Sequence, residues 1–193
     1  MPSVEKFKES LTQFQVEDNI IKSINSGYEE LVSSSPKKQK AAYFKQAIDI
    51  MDDNIPLDKS REILEWNACC KGGAREKASI AFRNENKELS LEEKLKKITK
   101  VPNMGKPLLN KDGTITIHAV EYWDGDRFAC ACSNFNKLKR DYPVSKNYCF
   151  CCGGHFKYHY EIMLGLTLKV KEVISSPLDS EGKNSCVFLF EVV

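Results

Sequence analysis

The sequence predicts an α+β fold: an N-terminal helical half packed on a C-terminal, mostly antiparallel four-stranded sheet that carries one helix. Three observations predict it. Apolar residues recur at spacings of three and four through roughly the first hundred positions. The period drops to two after the turn Lys111-Asp-Gly113, as strands require. Asp124-Gly125 then supplies a two-residue hairpin signal.

The elements follow in order. Val4, Phe7, Leu11 and Phe14 form one helical stripe, and Ile20, Ile24, Tyr28 and Leu31 a second. Ser35-Pro36 opens a third helix, with proline in the first turn where its missing N–H costs nothing; its stripe is Ala41, Phe44, Ile48 and Met51. Pro56 and Asp58 divide it from a fourth, which runs through Ile63, Leu64 and Trp66 to Cys69-Cys70 and breaks at Gly72-Gly73. Ala74 to Phe82 resumes a helical pattern. Ser90 and Glu93 form a capping box for a helix carrying Leu91, Leu95 and Ile98. Val101 to Pro107 reads as a loop. The four expected strands are Thr114–Tyr122, Arg127–Cys132, Leu166–Ile174 and Cys186–Val192, with a helix from His155 to Met163 between the second and third. A boundary near residue 105 separates a helical region, 1–104, from a cysteine-rich α+β region, 105–193; the two are small enough to share one core.

Composition excludes several classes. The 193 residues are 41% hydrophobic and 29% charged, an ordinary globular balance. Lys+Arg 29 against Asp+Glu 27 leaves a net +2, too even for a nucleic-acid binder that relies on a basic surface. Residues 58–100 show no helix-turn-helix pattern, and the lysine groups around Lys38 and Lys96 read as solvated helix faces. No apolar run approaches the roughly 18 residues of a membrane span, and the start lacks the apolar core of a signal peptide. The expected setting is the cytoplasm, without nucleic-acid or membrane partners. Eight cysteines stand out; under reducing conditions they read as metal ligands, reactive thiols or small buried hydrophobes rather than a disulfide framework.

Five of the eight cluster in sequence: Cys130-Ala-Cys132, then Cys149-Phe-Cys151-Cys152-Gly153-Gly154. Two close thiol pairs joined by a loop are how a chain builds a tetrahedral sulfur site, each pair supplying one edge. The second pair has two registers, Cys149 with Cys152 before a glycine knuckle, or Cys149 with Cys151 in mirror of Cys130 and Cys132. A C-x-C in a regular strand holds its sulfurs farther apart than the ~3.7 Å implied by two Zn–S bonds of ~2.3 Å, so a bulge or strand end is required. An all-sulfur donor set favours zinc first and iron second. His155 and His159 share a helix face, but no glutamate completes a metalloprotease motif between them. His155 reads as a further ligand or as a group tuning a thiolate, His159 as a surface or half-buried residue, and His118 as a satisfied strand histidine. Cys70 reads as core-facing, with Cys69 or Cys70 lining a pocket as the other reading.

From Tyr148 onward, Cys149-Phe-Cys-Cys-Gly-Gly154, an amphipathic helix, Gly165, a strand pair and Gly182-Lys-Asn-Ser-Cys186-Val-Phe188 resemble the C-terminal part of 4-vinyl-reductase-type small-molecule-binding domains. The preceding Cys-x-Cys is similar to that of a group of bacterial cysteine-rich proteins with the same end. The resemblance covers about a quarter of the chain. It implies a ligand pocket, and it implies that Cys149 and Cys186 match positions that hold structural zinc in some relatives. Lys183 stands where those relatives carry Asp, and Leu178 where they carry a further cysteine. Either Cys130 and Cys132 replace that ligand, or no metal binds.

Two functions follow as expectations. One is a zinc-containing small-molecule-binding or sensor protein, its metal drawn from Cys130, Cys132, Cys149, Cys151 and Cys152, with Phe128, Tyr148, Phe150, Phe156 and Tyr160 near the pocket. The other is a thiol enzyme, hydrolytic, acyl-transferring or dithiol redox, using Cys151 or Cys152 at a helix start with His155 as base.

Overall fold

A computed structural model describes residues 2–193. Its helices are α1 (Val4–Gln13), α2 (Asp18–Asn25), α3 (Lys37–Asn54), α4 (Leu57–Trp66), α5 (Gly73–Asn86), α6 (Leu91–Ile98) and α7 (Phe150–Leu164). The strands are β1 (Lys106–Leu109), β2 (Ile115–His118), β3 (Tyr122–Asp124), β4 (Arg127–Ala129), β5 (Leu168–Ser175) and β6 (Val187–Val192). The fold is α+β, with the helices mostly N-terminal and a four-stranded antiparallel sheet in the C-terminal half. Among the described residues, no helix is long and apolar enough to cross a membrane.

The helical half follows its periodicity closely. Ser3 caps α1 by accepting from the Lys6 amide at 3.1 Å, and the buried stripe Val4, Phe7 and Leu11 faces α3 and α4. Phe7 meets Tyr43 and Phe44 edge-on, with ring centroids 6.0 and 5.4 Å apart. Helix α2 stops at Asn25, because Gly27 turns the chain at φ +78°; Tyr28 and Leu31 still pack on the core from the turns beyond. Both bonds of the Ser90–Glu93 capping box are made.

The sheet departs from expectation in three places. Thr114–Tyr122, expected as one strand, ends at His118 in β2 and resumes at Tyr122 as β3 of a different sheet. The order of the four-stranded sheet is β1-β2-β6-β5, so the fourth strand is Lys106–Leu109, part of which reads as loop in the sequence. Pro107 hid it; proline donates nothing to a ladder and is tolerated here because β1 is an edge strand. Arg127–Cys132, expected in the sheet, forms a strand only over Arg127–Ala129 and pairs with β3 as a separate hairpin. Cys130 and Cys132 therefore lie just past a strand end.

Helix α7 is the centre of the molecule. It begins earlier than its expected start at His155, entered through a 3-10 turn at Lys146–Cys149. Most of its residues are buried, because it lies between the sheet and helices α4 and α5. Gly153 and Gly154 are helical, not a knuckle. A Cβ on Gly153 would stand 3.0 Å from a Val170 methyl, and one on Gly154 would stand 2.9 Å from the Glu65 Cα and 3.0 Å from the Ala68 Cβ. The glycine pair thus lets one helix approach the sheet on one side and α4 on the other. A single apolar cluster runs from Val4 and Phe44 through Tyr148 and Tyr160 to Phe188 and Phe190.

Candidate functional site: a thiol-lined pocket

A pocket of about 580 Å³ opens where the two halves meet. The loop after α4 contributes Cys69 and Cys70, and the first turn of α5 contributes Arg75. The hairpin forms one wall through Ala119 to Tyr122 and Phe128 to Cys132; α7 and its entry turn form another through Tyr148, Cys149, Cys152, His155 and Phe156. Ser185, Cys186 and Phe188 close it from the start of β6. The volume suits a small organic molecule, and the walls are mainly apolar with a few polar groups, as in ligand sites generally.

Seven of the eight cysteines line this space; only Cys151, turned into the core, does not. Burial pushes the Cys130 and Cys149 thiols well above the ordinary thiol range, and Cys132 up to about 11. Neighbouring thiols add to this: Cys149, Cys132 and Cys152 act on Cys130, and Cys186 and Cys152 act on Cys149. The Cys132 sulfur lies 3.2 Å from the Tyr148 hydroxyl, which also accepts from the Asn134 amide at 3.1 Å. Cys152 alone is lowered, through its neighbour Cys151, whose own thiol rises in exchange. These are protonated, weakly nucleophilic thiols, with Cys152 the exception.

The two histidines of α7 hold the loop that carries Cys69 and Cys70. The His155 Nδ1–H donates to the Cys69 carbonyl at 3.1 Å, leaving Nε2 as the acceptor. The His159 Nε2–H donates to the Cys70 carbonyl at 2.9 Å, so its Nδ1 is an acceptor, 3.0 Å from the Ser79 hydroxyl, whose one hydrogen it shares with the Arg75 carbonyl. These tautomers follow from the partners, since a carbonyl only accepts. Burial lowers both imidazoles, His155 to about 4, so both are neutral at neutral pH. The latch stabilises a loop in which Cys70 sits at φ +60°, a strained position for a non-glycine residue.

Of the residues singled out in the sequence, Cys130, Cys132, Cys149, Cys152 and His155 meet at the pocket, as do Phe128, Tyr148 and Phe156. Phe150 and Tyr160 do not; both are core residues, and the Tyr160 hydroxyl is spent on the Met104 carbonyl at 2.8 Å. Cys70 is exposed rather than core-facing, because α4 ends at Trp66 and leaves both thiols in a loop. His159 is wholly buried, not at the surface. His118 is exposed and lies outside the pocket. Helix α7 starts at Phe150, so Cys151 and Cys152 lie in its first turn, which continues directly from the 3-10 turn at Lys146–Cys149. The sequence reading missed Arg75 and Phe188. Arg75 carried no signal separating it from any surface arginine; Phe188 stood in an apolar strand where every alternate residue looks like core.

The all-sulfur donor chemistry suits zinc, but among the described residues no three His, Cys, Asp or Glu come together closely enough to hold a metal ion. No hydrogen bond joins Cys152 to His155 among the described residues either; the Nδ1 of the imidazole is bonded to the Cys69 carbonyl, and its Nε2 is not bonded to the thiol. Comparison with protein-family models, curated proteins and solved structures finds no match to this chain.

Proposed function

We propose that this chain is a small-molecule-binding or sensor protein whose ligand occupies the thiol-lined pocket. One observation carries the reading: a cavity of about 580 Å³ with mainly apolar walls lies at the junction of the two halves, where elements from both must keep their places for it to exist. A ligand there would touch the α4–α5 loop, α7, the hairpin and β6 together, which is how binding at one point is reported across a fold. The cytoplasm, where thiols stay reduced, is the compartment that suits eight free cysteines.

Zinc belongs to this proposal as a structural ion held by thiols among Cys130, Cys132, Cys149, Cys151 and Cys152. Nothing in the binding reading depends on it. Elemental analysis of protein purified without chelators tests it: about one zinc per chain supports it, and none removes it.

The test of the pocket uses Ala131, an exposed residue of its lining. A library of apolar and aromatic fragments, screened by thermal shift, is expected to give hits with the wild-type chain that are lost when Ala131→Trp fills the space. Hits unaffected by that change contradict the reading.

A thiol enzyme is the second reading, favoured by one observation: Cys152, the only thiol held below the usual range, shares the pocket with His155. It requires Cys152 to alkylate faster than the exposed Cys70 at pH 7. Iodoacetamide labelling resolved by peptide mass spectrometry decides it, and Cys70 labelling first ends it.

A further inference from the structure

The pocket has two fully charged side chains in its lining, Arg75 and Glu121, and they are placed differently. Glu121 is exposed on the rim, beside the hairpin. Arg75 is half-buried in the first turn of α5, and among the described residues its side chain has neither an ion pair nor a hydrogen bond. A guanidinium with five donors that is partly withdrawn from water and left unpaired is costly unless something else satisfies it. No protein group among the described residues does so. The titratable groups facing it are His155 and His159, both neutral and both bonded to loop carbonyls. The adjacent Glu76 accepts from the Tyr158 hydroxyl and forms no ion pair with Arg75 among the described residues. The start of α5 adds the positive end of a helix dipole to the same place.

Around this cation the pocket is apolar: Val120, Phe128, Phe156 and Phe188 supply its walls. An unpaired arginine in an apolar cavity calls for a molecule with one anionic end and an apolar body.

We propose that the ligand is a small organic monoacid, its carboxylate paired with the Arg75 guanidinium and its ring or chain lying against Phe128, Phe156 and Phe188. This rests on the small-molecule reading above and names the class of ligand. Arginine matches a carboxylate with two parallel N–H···O bonds, which lysine does not. Glu121 on the rim disfavours a second negative charge, which selects a monoacid over a diacid.

The test compares naphthalene-2-acetate with its neutral isostere, naphthalene-2-acetamide, by isothermal titration on the full chain at 0.15 M salt. Both probes have the same apolar body, so their difference isolates the charge. The wild-type protein is expected to bind the acid at least about tenfold more tightly than the amide. Arg75→Gln should abolish that preference while leaving the amide unchanged, and Arg75→Lys should restore part of it. The half-exposed position makes these changes compatible with folding, and the melting temperature of each variant checks that. Equal binding of acid and amide to the wild type overturns the monoacid proposal and leaves the pocket standing. Loss of both probes together in Arg75→Gln overturns it too, because the arginine is then a structural part of the wall. If neither probe binds the wild type, this proposal falls; the fragment screen then decides the pocket by itself.

Discussion

His155 and His159 make this fold less stable as the pH falls below the ordinary histidine range. Burial lowers the His155 imidazole from an ordinary 6.5 to about 4, with the neighbouring His159 and Arg75 pushing the same way, and His159 is also lowered by burial. Below about pH 6.5 the unfolded chain takes up a proton that the folded chain refuses, so stability is full above that pH and is lost as pH falls toward 4. The shift at His155 corresponds to about 3 kcal/mol. The unfolding free energy from urea titrations should fall by that order between pH 7.5 and pH 4, and His155→Gln should flatten the dependence. An unchanged slope in that variant contradicts the assignment. At this scale the sequence was partly legible. A cluster of five cysteines within one segment announced a common site, since only a shared purpose brings so many thiols together. Which way each thiol faces was not legible, because Cys151 and Cys152 differ by a single step around a helix whose start lay upstream of the glycines. Nor was the bonding of His155 and His159, whose partners are backbone carbonyls eighty-odd residues away.

Among the elements, α7 decides the architecture. It has packed neighbours on both sides, which accounts for its poor amphipathicity and for the two adjacent glycines inside it. Gly154→Ala places a methyl against the backbone of α4, at Glu65, which cannot yield as a side chain can. The helix-propensity gain of ~1 kcal/mol from replacing glycine is outweighed, and a net loss of about 1–3 kcal/mol in denaturant unfolding is expected. Gly153→Ala meets Val170 methyls, which can rotate, and should cost less. A stabilised Gly154→Ala would contradict the packing role. The same helix shows where periodicity fails as a guide: the glycines look like a knuckle when only local conformation is considered, and become contact residues once α4 and the sheet are placed around them. The amphipathic helices α1, α3 and α6 present no such difficulty, since each buries one stripe. Strand β1 was hidden by Pro107, and the hairpin was credited with three residues too many, Cys130 to Cys132, because the two cysteines alternate with alanine as a strand would.

Across the whole molecule, the two halves meet in one apolar cluster and one pocket. The α+β class and the order of the helices follow from hydrophobic period alone. The pocket does not, because it is made where the loop at Cys69, the start of α5, the hairpin and α7 converge, and no local pattern encodes that convergence. Its sulfur lining is the part that spacing could reveal; its cation, Arg75, is the part that only the fold reveals. The central claim is that this space holds a small molecule. The most direct measurement is a two-dimensional amide NMR titration of the full 193-residue chain with fragment hits. The account predicts shifts concentrated at Arg75, Phe128 to Cys132, Cys152 to Phe156 and Cys186 to Phe188. Shifts confined to residues outside this lining, or no shifts from any fragment, would contradict it.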